Sequence, residues 1–180
     1  GTPLPEDAPK ALWMQDTGEM LAHSNLKRYR ENTFLSFRSS PFGSGSHTLS
    51  DQNSFNLHFR GVPVYRSTGY YLHFSDPHNL LSYRHTRAHN TILVDGIGQP
   101  FTTRAYGKLV RMLSGENISY ACGDASNAYC GLTDYPMWQK NFKNAKVEES
   151  VANGFGETPL KKYRRHILLL HPNIIVIYDE

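Results

Sequence analysis

Ser54-Phe55-Asn56-Leu57-His58-Phe59-Arg60-Gly61-Val62-Pro63-Val64-Tyr65 is the stretch whose reading decides the fold. Phe55, Leu57 and Phe59 fall on one side of a two-residue period, and Asn56, His58 and Arg60 on the other, as in a strand with one buried face. Gly61 then turns the chain into Val62 to Tyr65, so the two runs form a hairpin. Upstream, Glu19 to Asn25 and Thr33 to Arg38 read as an earlier pair of strands, separated by the polar segment Lys27 to Asn32. Downstream, Thr91 to Val94, Lys108 to Ser114, Asn117 to Cys122, Ala145 to Val151, Leu160 to His171 and Asn173 to Tyr178 supply further strands. Asp95-Gly96 and Pro172-Asn173 mark tight turns. The only helical piece expected is a short one at Ala125 to Tyr129. Strands that follow one another without intervening helices imply an all-β, antiparallel, multi-stranded β-sandwich and not a βαβ fold.

The chain has 180 residues, enough for one domain with a real core. Residues 1–18 read as a linker from a preceding region and 19–180 as the β-sandwich, expected to continue beyond Glu180. The 19 Lys and Arg against 16 acids give a mild +3, and the basic residues are scattered apart from short clusters. A nucleic-acid surface needs a denser stripe, whereas an anionic ligand suits the balance. The longest apolar runs, Ile167 to Leu170 and Ile174 to Ile177, are far too short to span a bilayer. Cys122 and Cys130 flank a glycine-aspartate turn, and both a disulfide and two independent thiols remain open. No close Cys/His pairing suggests structural zinc.

Four clusters carry candidate chemistry. His47 lies between a glycine-serine loop and the polar trio Asp51, Gln52 and Asn53, and imidazole is the side chain whose free pKa lies nearest neutrality. The same composition also suits a plain turn. Arg87-Ala88-His89-Asn90-Thr91 presents a His-Asn pair at the start of a strand. Gly69-Tyr70-Tyr71 belongs to a long aromatic loop, Thr68 to Arg87, of the kind that is usually functional or mobile. Gly96-Ile97-Gly98-Gln99 is followed by Arg104 and Tyr106. His23, His58, His166 and His171 have only strand alternation behind them.

Arg38-Ser39-Ser40-Pro41-Phe42-Gly43, then Ser46-His47, Asp51-Gln52-Asn53-Ser54-Phe55, Ser67-Thr68-Gly69-Tyr70-Tyr71 and Ala88 to Gly96 with Gln99 resemble, in this order, the C-terminal domain of heparinase II/III-like polysaccharide lyases. The similarity is strongest to the subset carrying a domain of unknown function on its N-terminal side. The resemblance implies an antiparallel β-sandwich that partners an N-terminal (α/α) toroid. Together they would cleave uronic-acid polysaccharides by β-elimination. It places His47 at the first His of a His-x-His-x-Asp motif and puts the catalytic tyrosine on the toroid.

Several members of that family bind a metal, usually zinc, through the second His, a downstream Asp and the His of the His-Asn pair. Here those positions are Leu49, Ser67 and His89. One imidazole does not hold a divalent ion, so no metal and no other cofactor is expected, with Asp51 or Asn90 beside His89 the one alternative for a weak cation site.

Elimination needs a base for the C5 proton, stabilisation of the uronate carboxylate and an acid for the leaving O4. His47 is expected in the acid/base or carboxylate-neutralising role, with His89 and Asn90 behind it. Asp51, Gln52, Asn53, Tyr70, Tyr71, Asn90, Gln99 and Arg104 are the expected sugar-binding set, since aromatic faces stack on pyranose rings and Arg matches a carboxylate. Loop packing competes with that role for the two tyrosines. The expected partners are an acidic polysaccharide and the toroid, with no nucleic acid and no membrane span. The expected location is periplasmic or secreted, and the isolated domain is expected to be inactive. A non-catalytic carbohydrate-binding or structural module is the alternative. An unrelated interaction domain would follow if His47 and His89 lay far apart.

Overall fold

The computed structural model describes residues 8–69 and 73–180. Among the described residues nine strands form two antiparallel meanders. The first sheet runs β1 (Ala11–Met14), β2 (Glu19–His23), β3 (Thr33–Arg38), β4 (Ser54–Phe59) and β5 (Val62–Tyr65). The second runs β6 (Lys108–Ser114), β7 (Ile118–Asp124), β8 (Arg164–Leu170) and β9 (Ile174–Asp179). Within each sheet every strand pairs with its neighbour in sequence, most through short turns, but β3 and β4 are joined by residues 39–53 and β7 and β8 by residues 125–163.

Alternation decides which face goes inside. Thr33, Leu35 and Phe37 of β3 are buried while Phe34, Ser36 and Arg38 are half-buried. Met20, Ala22, Leu35, Phe37 and Phe55 of the first sheet meet Leu109, Ala121, Ile167 and Leu169 of the second in one apolar core. A second core lies under the long loops, where Leu80, Phe101, Trp138, Phe142 and Phe155 pack together.

That second core rests on a helix, α1 (Pro136–Ala145), which sequence reading misses. Pro136 stands in its first turn, and Trp138, Asn141 and Phe142 bury at helical spacing. The helix ends with Lys146 in the left-handed region, φ 54°, and the Val147 N–H on the Phe142 carbonyl at 3.1 Å. The helix expected at Ala125 to Tyr129 is instead a turn, in which Ser126 donates from N and Oγ to Asp124 Oδ1 at 3.1 and 2.7 Å.

The strand expected at Ala145 to Val151 is the helix end, a loop and the start of a 3-10 turn, Val151–Asn153. The Thr91 to Val94 strand reduces to one bridge, Val94 to Ile97, around Asp95 and Gly96. Both turn residues have positive φ, 52° and 81°, so the turn itself is the hairpin type that Asp-Gly favours. β1 lies within the stretch read as linker, because Ala11 and Trp13 find partners in Ala22 and Met20. Cys122 and Cys130 are both free thiols.

Candidate functional site

The loops between β3 and β4 and between β5 and β6 meet at one end of the sandwich, joined by a buried amide exchange. The Gln52 backbone N–H donates to Gln99 Oε1 at 2.8 Å, and Gln99 Nε2 returns the bond to the Gln52 carbonyl at 3.1 Å. Gln52 Oε1 accepts from the Ser40 N–H at 2.7 Å, and the Gln99 N–H donates to Thr86 Oγ1 at 2.8 Å. Asn53, at φ 58°, donates from Nδ2 to the Gly123 carbonyl on β7 at 3.1 Å. Gln52, Asn53 and Gln99 have no exposed surface. The expectation that they touch sugar is therefore not met in this structure: Gln52 Oε1, Asn53 Nδ2 and both ends of the Gln99 amide hold loop backbone, while Gln52 Nε2 and Asn53 Oδ1 are buried without a hydrogen-bond partner.

Asp51 is likewise held. Its carboxylate pairs with Arg38 and accepts from Ser54 Oγ at 3.4 Å. Asn90 is half-buried and donates from Nδ2 to the Phe55 carbonyl at 2.9 Å. Arg104 is exposed and pairs with Asp134 at 2.6 Å. A solvent-exposed pair contributes little, so Arg104→Ala is expected to change the unfolding free energy by less than about 1 kcal/mol in denaturant titration. Tyr70 and Tyr71 lie outside the described residues.

His47 occupies the tip of a tight turn. The Thr48 N–H and Oγ1 both donate to the Gly45 carbonyl, at 3.1 and 2.6 Å, so Ser46 and His47 are the two central residues. Ser46 adopts φ 33°, and the His47 imidazole is exposed with its ring 5.2 Å from that of Phe74. His89 is buried, with Nδ1 at 2.9 Å from Ser67 Oγ. Burial pushes its pKa below the ordinary value, against the opposing pull of the Asp51 carboxylate and the Tyr83 carbonyl. His89 is thus a neutral, internally held ring, and His47 is the histidine presented outward.

A metal at His89 does not fit these residues. Ser67 offers a hydroxyl where the family pattern has a carboxylate, Leu49 offers no donor, and Asp51 is taken by Arg38. Asn90 directs its amide nitrogen to the Phe55 carbonyl. Among the described residues no three His, Cys, Asp or Glu side chains converge as a ligand set.

Three residues that carry the site's architecture escape sequence reading. Arg165 on β8 donates from Nη1 to the carbonyls of Asn53 and Asn90, at 2.8 and 2.7 Å, while Nε and Nη2 grip the Asp179 carboxylate at 2.8 Å each. Arg84 is fully buried beneath the His47 turn, and Trp138 lies against it. A further histidine, His85, accepts at Nδ1 from the Arg87 N–H and Nε, at 3.1 and 3.2 Å, which leaves Nε2 to donate to the Gly154 carbonyl at 3.0 Å. Burial lowers its pKa to about 4.

The family described as "Heparinase II/III-like, C-terminal" matches residues 9–180. Among solved structures, the chain is similar to a "Heparinase III-BT4657 gene product", with TM-score 0.66 and 16% identity over 98% of this chain and 22% of that one. It is also similar to the heparan sulfate lyase HepC from Pedobacter heparinus, with TM-score 0.63 and 16% identity over 94% of this chain and 21% of the other. A structure titled Heparinase III gives 0.60 and 15% over 92% and 21%. The chain therefore spans about a fifth of the length of these structures. No curated protein matches it.

Proposed function

Since the chain belongs to the heparinase II/III-like C-terminal family, we propose that it serves as the β-sandwich of a polysaccharide lyase, lending His47 to an active site shared with an (α/α) toroid. The observation that carries this reading is the pairing of an exposed imidazole on a tight turn with a fully buried polar foundation beneath it. A rigid scaffold that presents an imidazole outward suits proton transfer at a partner surface.

In the reaction, a base takes the C5 proton of a uronate. The electrons of that C–H bond form the C4–C5 double bond, the C4–O4 bond breaks, and an acid protonates the departing oxygen. His47 acts as that acid or base, or stabilises the carboxylate as charge develops. His89, buried and neutral, supports the loop through Ser67, and no step passes through a metal. A polymeric substrate places the protein in the periplasm or outside the cell. Among the described residues no helix is long and apolar enough to cross a membrane.

The proposal is tested by unsaturated-uronate absorbance on heparin, heparan sulfate, chondroitin, hyaluronan and alginate. The isolated chain is expected to show no turnover on any of them and the polypeptide that joins it to its toroid to turn over at least one. Robust turnover by the isolated chain would overturn the shared-site reading. The absence of metal donors at Leu49 and Ser67 favours one other reading, a carbohydrate-binding module that has lost catalysis. Glycan binding without cleavage by the joined polypeptide would establish it.

A further inference from the structure

Arg84 is an expensive residue to bury, because a guanidinium leaves water at a cost that a leucine of similar volume would not incur. It has no exposed surface, and its guanidinium lies 3.6 Å from the centroid of Trp138 and 5.0 Å from that of Phe101. What the guanidinium supplies, and a hydrocarbon does not, is hydrogen bonding directed upward into the His47 loop. Nη2 donates to the Ser44 carbonyl at 2.6 Å and to the Gly45 carbonyl at 3.2 Å. The Gly45 oxygen is the same one that closes the Gly45–Thr48 turn. On the far side of the turn, the Ser50 N–H donates to the Arg84 backbone carbonyl at 3.2 Å.

One residue therefore grips the loop both before and after His47. The aromatic side of the arrangement closes on the same point. Phe74 lies 5.1 Å from Trp138 and 5.2 Å from the His47 ring, centroid to centroid, so the imidazole rests on a ring that itself rests on the platform carrying Arg84. Backbone and ring of His47 are both referred to one buried cation-π pair.

We propose that Arg84 is the positioning residue of the catalytic histidine: with Trp138 and Phe74 it fixes the His47 turn at the geometry proton transfer requires, without touching substrate. This rests on the assignment of His47 to the lyase reaction. A misplacement of about 1 Å at a reacting group costs on the order of 10²-fold in rate, so the effect falls on kcat.

The test is a double-mutant cycle in the polypeptide that carries the toroid, with Arg84→Met, His47→Ala and the pair, assayed by uronate absorbance. Arg84→Met is expected to lower kcat by about 10²-fold with KM moved by less than about twofold. In the His47→Ala background the same substitution is expected to change nothing further. An undiminished loss in that background means a general structural role and overturns the inference, as does full activity of Arg84→Met. Full activity of His47→Ala instead overturns the lyase assignment beneath it, so the two failures are distinguishable. Should Arg84→Met not fold, Phe74→Leu, which removes the ring under His47 and keeps an apolar side chain there, is run through the same cycle. Coupling to His47 then supports the platform, and additivity or full activity rejects it.

Discussion

Arg165→Met is expected to lower the unfolding free energy by about 3 kcal/mol, at the lower end of what breaking a buried ion pair costs. Three losses combine. The Asp179 carboxylate, one third exposed, loses a two-point partner. The carbonyls of Asn53 and Asn90 lose the donor they share. Those carbonyls belong to the two loops that carry the polar foundation, and the substitution separates both from β8. At about 2–4 °C per kcal/mol for a chain of this size, thermal melting by circular dichroism is expected to fall by roughly 6–12 °C. Asp179→Asn is expected to cost less, because Arg165 would still hold both carbonyls. A melting temperature of Arg165→Met within 2 °C of the parent would show that the loops are held by other means.

The second large effect is acid sensitivity. His85 is fully enclosed, and its pKa falls from 6.5 to about 4 because burial disfavours the charged ring. At a pH between those values the unfolded chain binds a proton at this position and the folded chain does not. Stability is thus fully present above 6.5 and is lost as pH falls toward 4. At 1.36 kcal/mol per unit the loss reaches about 3 kcal/mol. His23, His89 and His171 are lowered by burial too and add in the same direction. Denaturant titrations between pH 7 and 4 check the slope, and His85→Gln isolates one residue. Glutamine can donate to the Gly154 carbonyl and accept from the Arg87 N–H without titrating, so its slope should be distinctly shallower. An equal slope would remove His85 as the main acid-sensitive group.

Much of the sandwich was legible because one-sided burial writes a two-residue period into the chain. β2, β3 and β8 follow it residue by residue, since each has a core face and an outer face, whereas the edge strands β5 and β9 are mostly exposed and were legible from their apolar, β-branched composition and turns. Where burial is set by loops and a helix packing together, that period fails. Trp138, Asn141 and Phe142 do stand at helical spacing behind Pro136, but the lysines and asparagines between them dilute the signal. Thr91 to Val94 has strand composition, yet it is tied by side chains, as when Thr91 Oγ1 donates to the Gln52 carbonyl at 2.9 Å.

The site was legible in its motifs and not in its roles. The motifs single out His47, His89 and the Asp51-Gln52-Asn53 run, whereas the fold buries Gln52, Asn53 and Gln99 and leaves them no exposed surface to offer a sugar. A sequence shows that a residue is polar, but burial depends on what packs over it from 30 or 70 residues away, as Gly123 does over Asn53. Arg84 and Arg165 carry no local pattern at all, because each is defined by backbone carbonyls distant in the chain. Their recognition required the fold.

The proposed role of this β-sandwich is to contribute one catalytic imidazole to a shared lyase site. Its most direct measurement is kcat of the toroid-bearing polypeptide with His47→Ala, using the glycan it cleaves best and circular dichroism to verify folding. A loss of about 10²–10⁴-fold is expected, as for removal of a positioned acid or base, in a variant whose circular dichroism shows it to be folded. A folded variant with undiminished kcat would contradict it.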